Sequence, residues 1–177
     1  AQCLVGSEMC IRDSNPPAGL PDGDAAADFY LYAVQQLEAA GYRQYEISNF
    51  ARPGHEGRHN LLYWNCSDYW GVGPAAHSCV GNVRQFWPDD VQGFIAGTVA
   101  EQREGDCTSE DYLLMQLRLV SGLDIAEYER RGGRFTTAQR AFMRQCVGHE
   151  YATLDGNVFR LTPAGMVVQN AILEELM

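Results

Sequence analysis

The stretch Tyr151-Ala152-Thr153-Leu154-Asp155-Gly156-Asn157-Val158-Phe159-Arg160-Leu161-Thr162-Pro163 decides how the C-terminal part of this chain folds. Two short runs of strand-favouring residues flank Asp155-Gly156-Asn157, a turn signal that closes a hairpin. Thr162 then stands where a helix N-cap accepts from free backbone N–H groups. Pro163 fills the first helical position, where its missing donor is not needed. Working outward, Thr136 or Thr137 opens a helix carrying Phe142, Met143, Cys146 and Val147. Further upstream, Thr108 and Asp111 form a capping box ahead of the apolar run 112–120. Helices, a β-wing and a closing helix predict a small winged-helix-like α+β domain over 108–177.

The preceding part reads differently. Residues 15–24 are rich in Pro, Gly and Asp and predict a loop. Asp24 is the expected N-cap of a helix in which Tyr30, Val34, Leu37 and Glu38 recur at helical spacing, and Gly41 is placed to end it. Residues 42–48 alternate enough to be a strand, broken by Ala51-Arg52-Pro53-Gly54. Residues 70–79, small and apolar with two glycines, predict a buried parallel strand that something approaches closely. The fold class is therefore α/β over 15–87. A connecting helix within 90–101 and a polar linker at 103–106 make up a joining segment over 88–107.

Composition narrows the function classes. With 46% hydrophobic and 20% charged residues, no apolar run long enough to span a bilayer and no signal-peptide pattern, the expected compartment is the cytoplasm. Net charge is −10 and every cation is Arg, so a phosphate backbone would be repelled and nucleic acid is not an expected partner. Arg134, Arg140 and Arg144, on or beside the helix after Thr136, read more simply as a solvated face. Cys66, Cys79, Cys107 and Cys146 follow neither a zinc-ribbon nor a secreted disulfide spacing and are expected to be reduced thiols.

The chemistry concentrates in Arg58-His59-Asn60-Leu61-Leu62-Tyr63-Trp64. Imidazole is a common axial ligand of haem iron, Tyr and Trp offer ring faces with polar tips, and an amide can hold a tautomer or a propionate. Most histidines are not ligands, so spacing alone favours for His59 a role satisfied by a backbone carbonyl at a loop edge. His55-Glu56-Gly57-Arg58-His59 also matches the zinc motif H-E-x-x-H, but Pro53-Gly54 before it and Gly57 within it disfavour the helix that motif requires.

Taken with Tyr45-Glu46-Ile47-Ser48-Asn49-Phe50-Ala51-Arg52-Pro53-Gly54 and Gly71-Val72-Gly73-Pro74-Ala75-Ala76-His77-Ser78, this run resembles the oxygen-independent coproporphyrinogen III oxidase-like radical-SAM family, specifically its HemW-type haem chaperones. The resemblance covers most of 20–177. It implies that 15–87 is the last portion of a radical-SAM (β/α) barrel and that His59, Asn60, Tyr63 and Trp64 match a haem-associated motif, with His59 facing the iron. It further implies that Gly73 and His77 lie where relatives contact S-adenosylmethionine. Haem and haem-accepting proteins are the implied partners, with S-adenosylmethionine and a [4Fe–4S] cluster as cofactors of the whole protein. The runner-up is a coproporphyrinogen III dehydrogenase, and the third reading is a winged-helix interaction module. Relatives often carry Cys at the position of Gly57 and Gly at that of Gln116, the second change being expected to be neutral.

The cluster-binding Cys-x3-Cys-x2-Cys triplet of that family is not found in this sequence. Residues 3–14 read instead as the in-frame translation of a transposase-based sequencing adapter. Residues 1–14 are accordingly expected to be non-native and to pack against nothing, with natural sequence from about Asn15.

Overall fold

A computed structural model describes residue 19 and residues 21–177. The adapter-like segment lies outside the described residues. Helix α1 (Gly23–Ala39) begins two residues earlier than expected, because the Asp22 carboxylate, not that of Asp24, accepts from Ala25 N at 2.9 Å. It ends in a Schellman arrangement. Gly41 at φ +84° donates to Glu38 O, and Tyr42 donates to Leu37 O. Strands β1 (Arg43–Glu46) and β2 (Asn49–Ala51) then form an antiparallel pair.

Helix α2 (Arg58–Trp64) follows, then a loop, then β3 (His77–Val80), β4 (Val83–Phe86), the short helix α3 (Val91–Ala96) and β5 (Gln102–Asp106). The three strands form one antiparallel sheet in the order β3-β4-β5. Two expectations are corrected here. Residues 70–79 are not a parallel strand: glycine at φ +120° (Gly73) and Ala75 at φ +58° prevent extension, so the chain loops as far as Ala76. Only 77–80 are strand, and they pair antiparallel with β4. The polar run at 103–106 is not a linker either. It belongs to β5, which β4 recruits through a bulged register.

Helix α4 (Ser109–Gln116), β6 (Leu123–Asp124), α5 (Ile125–Arg130), α6 (Thr137–Gly148), β7 (Ala152–Asp155), β8 (Val158–Leu161), α7 (Pro163–Val167) and α8 (Gln169–Leu176) complete the described chain. The anticipated punctuation is present. Thr108 with Asp111 and Thr136 with Gln139 are reciprocal capping boxes, Gly156 turns the β7–β8 hairpin at φ +57°, and Thr162 caps α7 ahead of Pro163. Leu113, Leu117, Leu123, Phe159 and Leu176 are buried together as the centre of the main core. The Gln44 amide of β1 donates to Tyr30 Oη of α1 at 2.5 Å and reaches Met166 Sδ at 3.4 Å, which fastens α1 and β1 to α7. Among the described residues no helix is long and apolar enough to cross a membrane.

Candidate functional site

Helix α2 is short, and its N-cap, Gly57, contributes no side-chain hydrogen bond. Gly57 is pressed against Tyr45, whose hydroxyl would lie 2.8 Å from a Cβ built there. The helix starts at Arg58, so His55 precedes it and the two imidazoles of the H-E-x-x-H match do not share a helical face. No group of three or more His, Cys, Asp or Glu side chains among the described residues is arranged to hold a metal ion. The zinc reading falls with that geometry.

Residues 59 and 63, one turn apart, come together as a helix requires. Tyr63 Oη and His59 Nε2 are 2.5 Å apart, and the rings meet edge to face with centroids 4.8 Å apart. Tyr63 in turn meets Tyr69, centroids 4.4 Å apart, so three aromatic side chains form a continuous ladder. His59 is exposed, and so are Trp70 and Val72 in the loop that follows Tyr69. An exposed imidazole at one end of an aromatic ladder offers both a lone pair and apolar ring surface.

Trp64 is turned away from this ladder. Its carbonyl accepts from the Gln116 amide of α4 at 2.8 Å, and the Arg118 guanidinium lies over its ring at 5.4 Å. The indole Nε1 is buried without a hydrogen-bond partner among the described residues, an unused donor beside a cation. Asn60 lies half-buried near the N-terminal end of the same helix, its amide 3.9 Å from a Cβ built at Gly57.

Gly73 and His77 belong to a second locus. Gly73 needs a glycine for its φ, while Gly71 is the position approached closely, since a Cβ there would lie 2.3 Å from His77 O. Gly71 N donates to Ser78 Oγ at 3.2 Å, and Ser78 donates to Glu101 at 2.6 Å. The His77 ring stacks on Phe86, and its Nδ1 lies 3.5 Å from Glu104. Gln116 is the residue the sequence reading undervalued: it is buried and binds both the Trp64 carbonyl and Asn65 Oδ1.

No protein-family model matches the chain. It is 30% identical over 181 residues to heme chaperone HemW of Mycobacterium tuberculosis, an alignment spanning 97% of this chain and 44% of the relative. Against heme chaperone HemW of Escherichia coli it is 32% identical over 169 residues, spanning 91% of this chain and 44% of the relative. The chain belongs to the HemW-type branch of the radical-SAM family. A mouse mitochondrial radical S-adenosyl methionine domain-containing protein 1 is 53% identical over 67 residues, 38% of this chain and 15% of that protein. The fold matches that of Escherichia coli coproporphyrinogen III oxidase (HemN), a radical-SAM enzyme, with a TM-score of 0.62 and 18% identity, over 90% of this chain and 42% of that one. The chain thus spans under half the length of the relatives it matches.

The family's cluster needs thiolates on three of its irons. The described residues present no such set, so no step of chemistry is assigned to a cluster held by them.

Proposed function

We propose that α2 is the haem-contacting segment of a haem chaperone that passes haem to acceptor proteins, with His59 as the iron ligand. The observation that carries this reading is the His59–Tyr63 pair on an exposed helix at the end of an aromatic ladder. The Tyr63 hydroxyl holds His59 Nε2 in place and must release it when the imidazole lone pair is given to iron. Tyr69, Trp70 and Val72 supply ring and apolar surface for a flat macrocycle. Trp64, which packs towards α4 with its indole N–H buried beside Arg118, is assigned to holding α2 in place and not to contact with the macrocycle. Gly73, in the loop leading into β3, and His77, the first residue of that strand, are the residues we assign to S-adenosylmethionine contact in the whole protein.

Residues 15–87 are read as the end of a barrel and 108–177 as a winged-helix-like domain. The succession α4-β6-α5-α6-β7-β8 supports the second assignment. Of the three arginines on or beside α6, Arg140 pairs with Glu129 at 2.5 Å and Arg134 donates to the carbonyls of Glu129 and Gly133, so two are already engaged within the domain and do not favour a DNA-reading role.

The test is a haem titration of the chain, followed at the Soret band. His59→Ala should lower affinity at least about tenfold and shift the band, whereas His55→Ala should leave both unchanged. Identical spectra and affinities for wild type and His59→Ala would remove His59 from the site. In the whole protein, transfer of haem to an apo-acceptor supports the chaperone reading, and decarboxylation of coproporphyrinogen would replace it with the dehydrogenase.

A further inference from the structure

Two side chains of α2 bring different donor atoms to one point. Tyr63 Oη and His59 Nε2 lie 2.5 Å apart, and among the described residues neither atom has another hydrogen-bond partner. The backbone enforces the meeting, since residues 59 and 63 stand one turn apart on a helix running from Arg58 to Trp64. His59 is exposed and Tyr63 half-buried, so the pair is reached from solvent.

The two members are held unequally. The Tyr63 ring meets Tyr69 edge to face, centroids 4.4 Å apart, on top of its contact with His59. Tyr69 is itself tied to β3: its N–H donates to Cys79 O at 2.8 Å, and Cys79 N–H donates to Tyr69 O at 2.9 Å. Tyr63 is thus buttressed by the sheet, whereas the polar tip of His59 is held by Tyr63 alone. Tyr63 is the fixed member of the pair and His59 the movable one.

The two donors also differ in kind, although both residue types serve as axial ligands of haem iron. Imidazole binds as a neutral donor, whereas a phenol binds as the phenolate, whose negative charge suits the ferric ion. A phenol therefore takes iron only by giving up its proton, and a base touching the oxygen can accept that proton as the bond forms. His59 Nε2 stands at hydrogen-bond distance from the Tyr63 oxygen and is such a base. A partner so placed also orients the ligand and strengthens it as a donor.

We propose that His59 and Tyr63 are a ligand switch read by the oxidation state of the iron, with Tyr63 Oη binding ferric haem and His59 Nε2 binding ferrous haem. The inference rests on the haem reading of α2 given above. When ferric haem arrives, the Tyr63 O–H bond breaks, its proton passes to His59 Nε2, and an Fe–O bond replaces the water or anion that the iron carried. A one-electron reductant then lowers the charge on iron, and its hold on the phenolate weakens. The Fe–O bond breaks, the phenolate takes the proton back from His59 Nε2, and the freed imidazole lone pair binds the iron. The added electron stays on the iron, and the proton moves only between the two side chains.

The test loads the full chain with ferric haem, records absorption and resonance Raman spectra, and records them again after reduction with dithionite. Ferric wild type should show the ring vibrations of an iron-bound phenolate, shifted when the chain carries ring-deuterated tyrosine. Tyr63→Phe should lose these vibrations and move the ferric Soret band, yet match the wild type once reduced, and Tyr69→Phe should keep them. His59→Ala should change the ferrous spectrum and weaken ferric binding at least about tenfold, because the phenol loses its proton acceptor. Phenolate vibrations absent from the wild type or retained in Tyr63→Phe, or a ferrous spectrum altered by Tyr63→Phe, would overturn the switch. The haem reading survives that result if His59→Ala still alters binding, and falls with the switch if His59→Ala matches the wild type in both oxidation states. Should Tyr63→Phe fail to fold, the wild-type vibrations and their persistence in Tyr69→Phe decide.

Discussion

Gln116 is buried between α4 and α2, and its amide satisfies two oxygens at the end of α2, the Trp64 carbonyl at 2.8 Å and Asn65 Oδ1 at 3.1 Å. Carbonyls in the last turn of a helix have no partner within that helix, so this donor closes an end that would otherwise be open. Removing it leaves a buried acceptor unpaired. Gln116→Ala is expected to cost about 1–3 kcal/mol, measured as a lower urea midpoint with an unchanged slope. The residue was visible in the sequence, but its partners lie 51 and 52 positions away, and no local pattern announces such a bond. His59 and Tyr63 were legible for the opposite reason, since i and i+4 on a helix must be neighbours. Trp64 was grouped with them by motif, yet five residues along a helix turn it about 140° from His59, towards α4.

At the level of elements, the capping boxes show what can be read locally. Burial raises the Asp111 carboxyl, but the Thr108 N–H and hydroxyl and the Arg84 guanidinium outweigh it and hold it below the usual carboxylate range. A folded-state value below the unfolded one means that the stabilisation is complete above the unfolded value of about 3.9 and is lost as pH falls through the folded value. Thermal melts between neutral and acid pH should show the wild type losing stability below about pH 4 more steeply than Asp111→Asn, which starts less stable at pH 7. Equal slopes would remove Asp111 from the acid transition. Caps, the β7–β8 hairpin and α7 were all legible because their signals lie within a few residues of the structure they specify. The stretch 70–76 was not: small apolar residues fit a buried strand as well as a loop, and the left-handed backbone at Gly73 and Ala75 is invisible in composition. Strand β5 escaped notice because only its pairing with β4 makes it a strand.

For the whole molecule, the donor groups among the described residues set the expectation for the chemistry of this chain. Reconstitution with iron and sulfide under reducing conditions should give no charge-transfer absorption of a cluster and no 5′-deoxyadenosine from S-adenosylmethionine, since no set of three described ligand side chains is arranged for metal. That nucleoside above a protein-free control would refute the expectation. One more consequence follows from β5, the end strand of the β3-β4-β5 sheet. A sheet margin presents a row of free N–H and C=O groups on which another chain can add itself, and repeated addition leads to aggregation. Gln102-Arg103-Glu104-Gly105-Asp106 makes a poor template: its three charged side chains are exposed, and Gly105 offers a newcomer no side chain to pack against. The polarity that disguised this strand as a connector is the same property that keeps neighbouring copies from zipping onto it, so solubility here is guarded by residues that contribute nothing to the core.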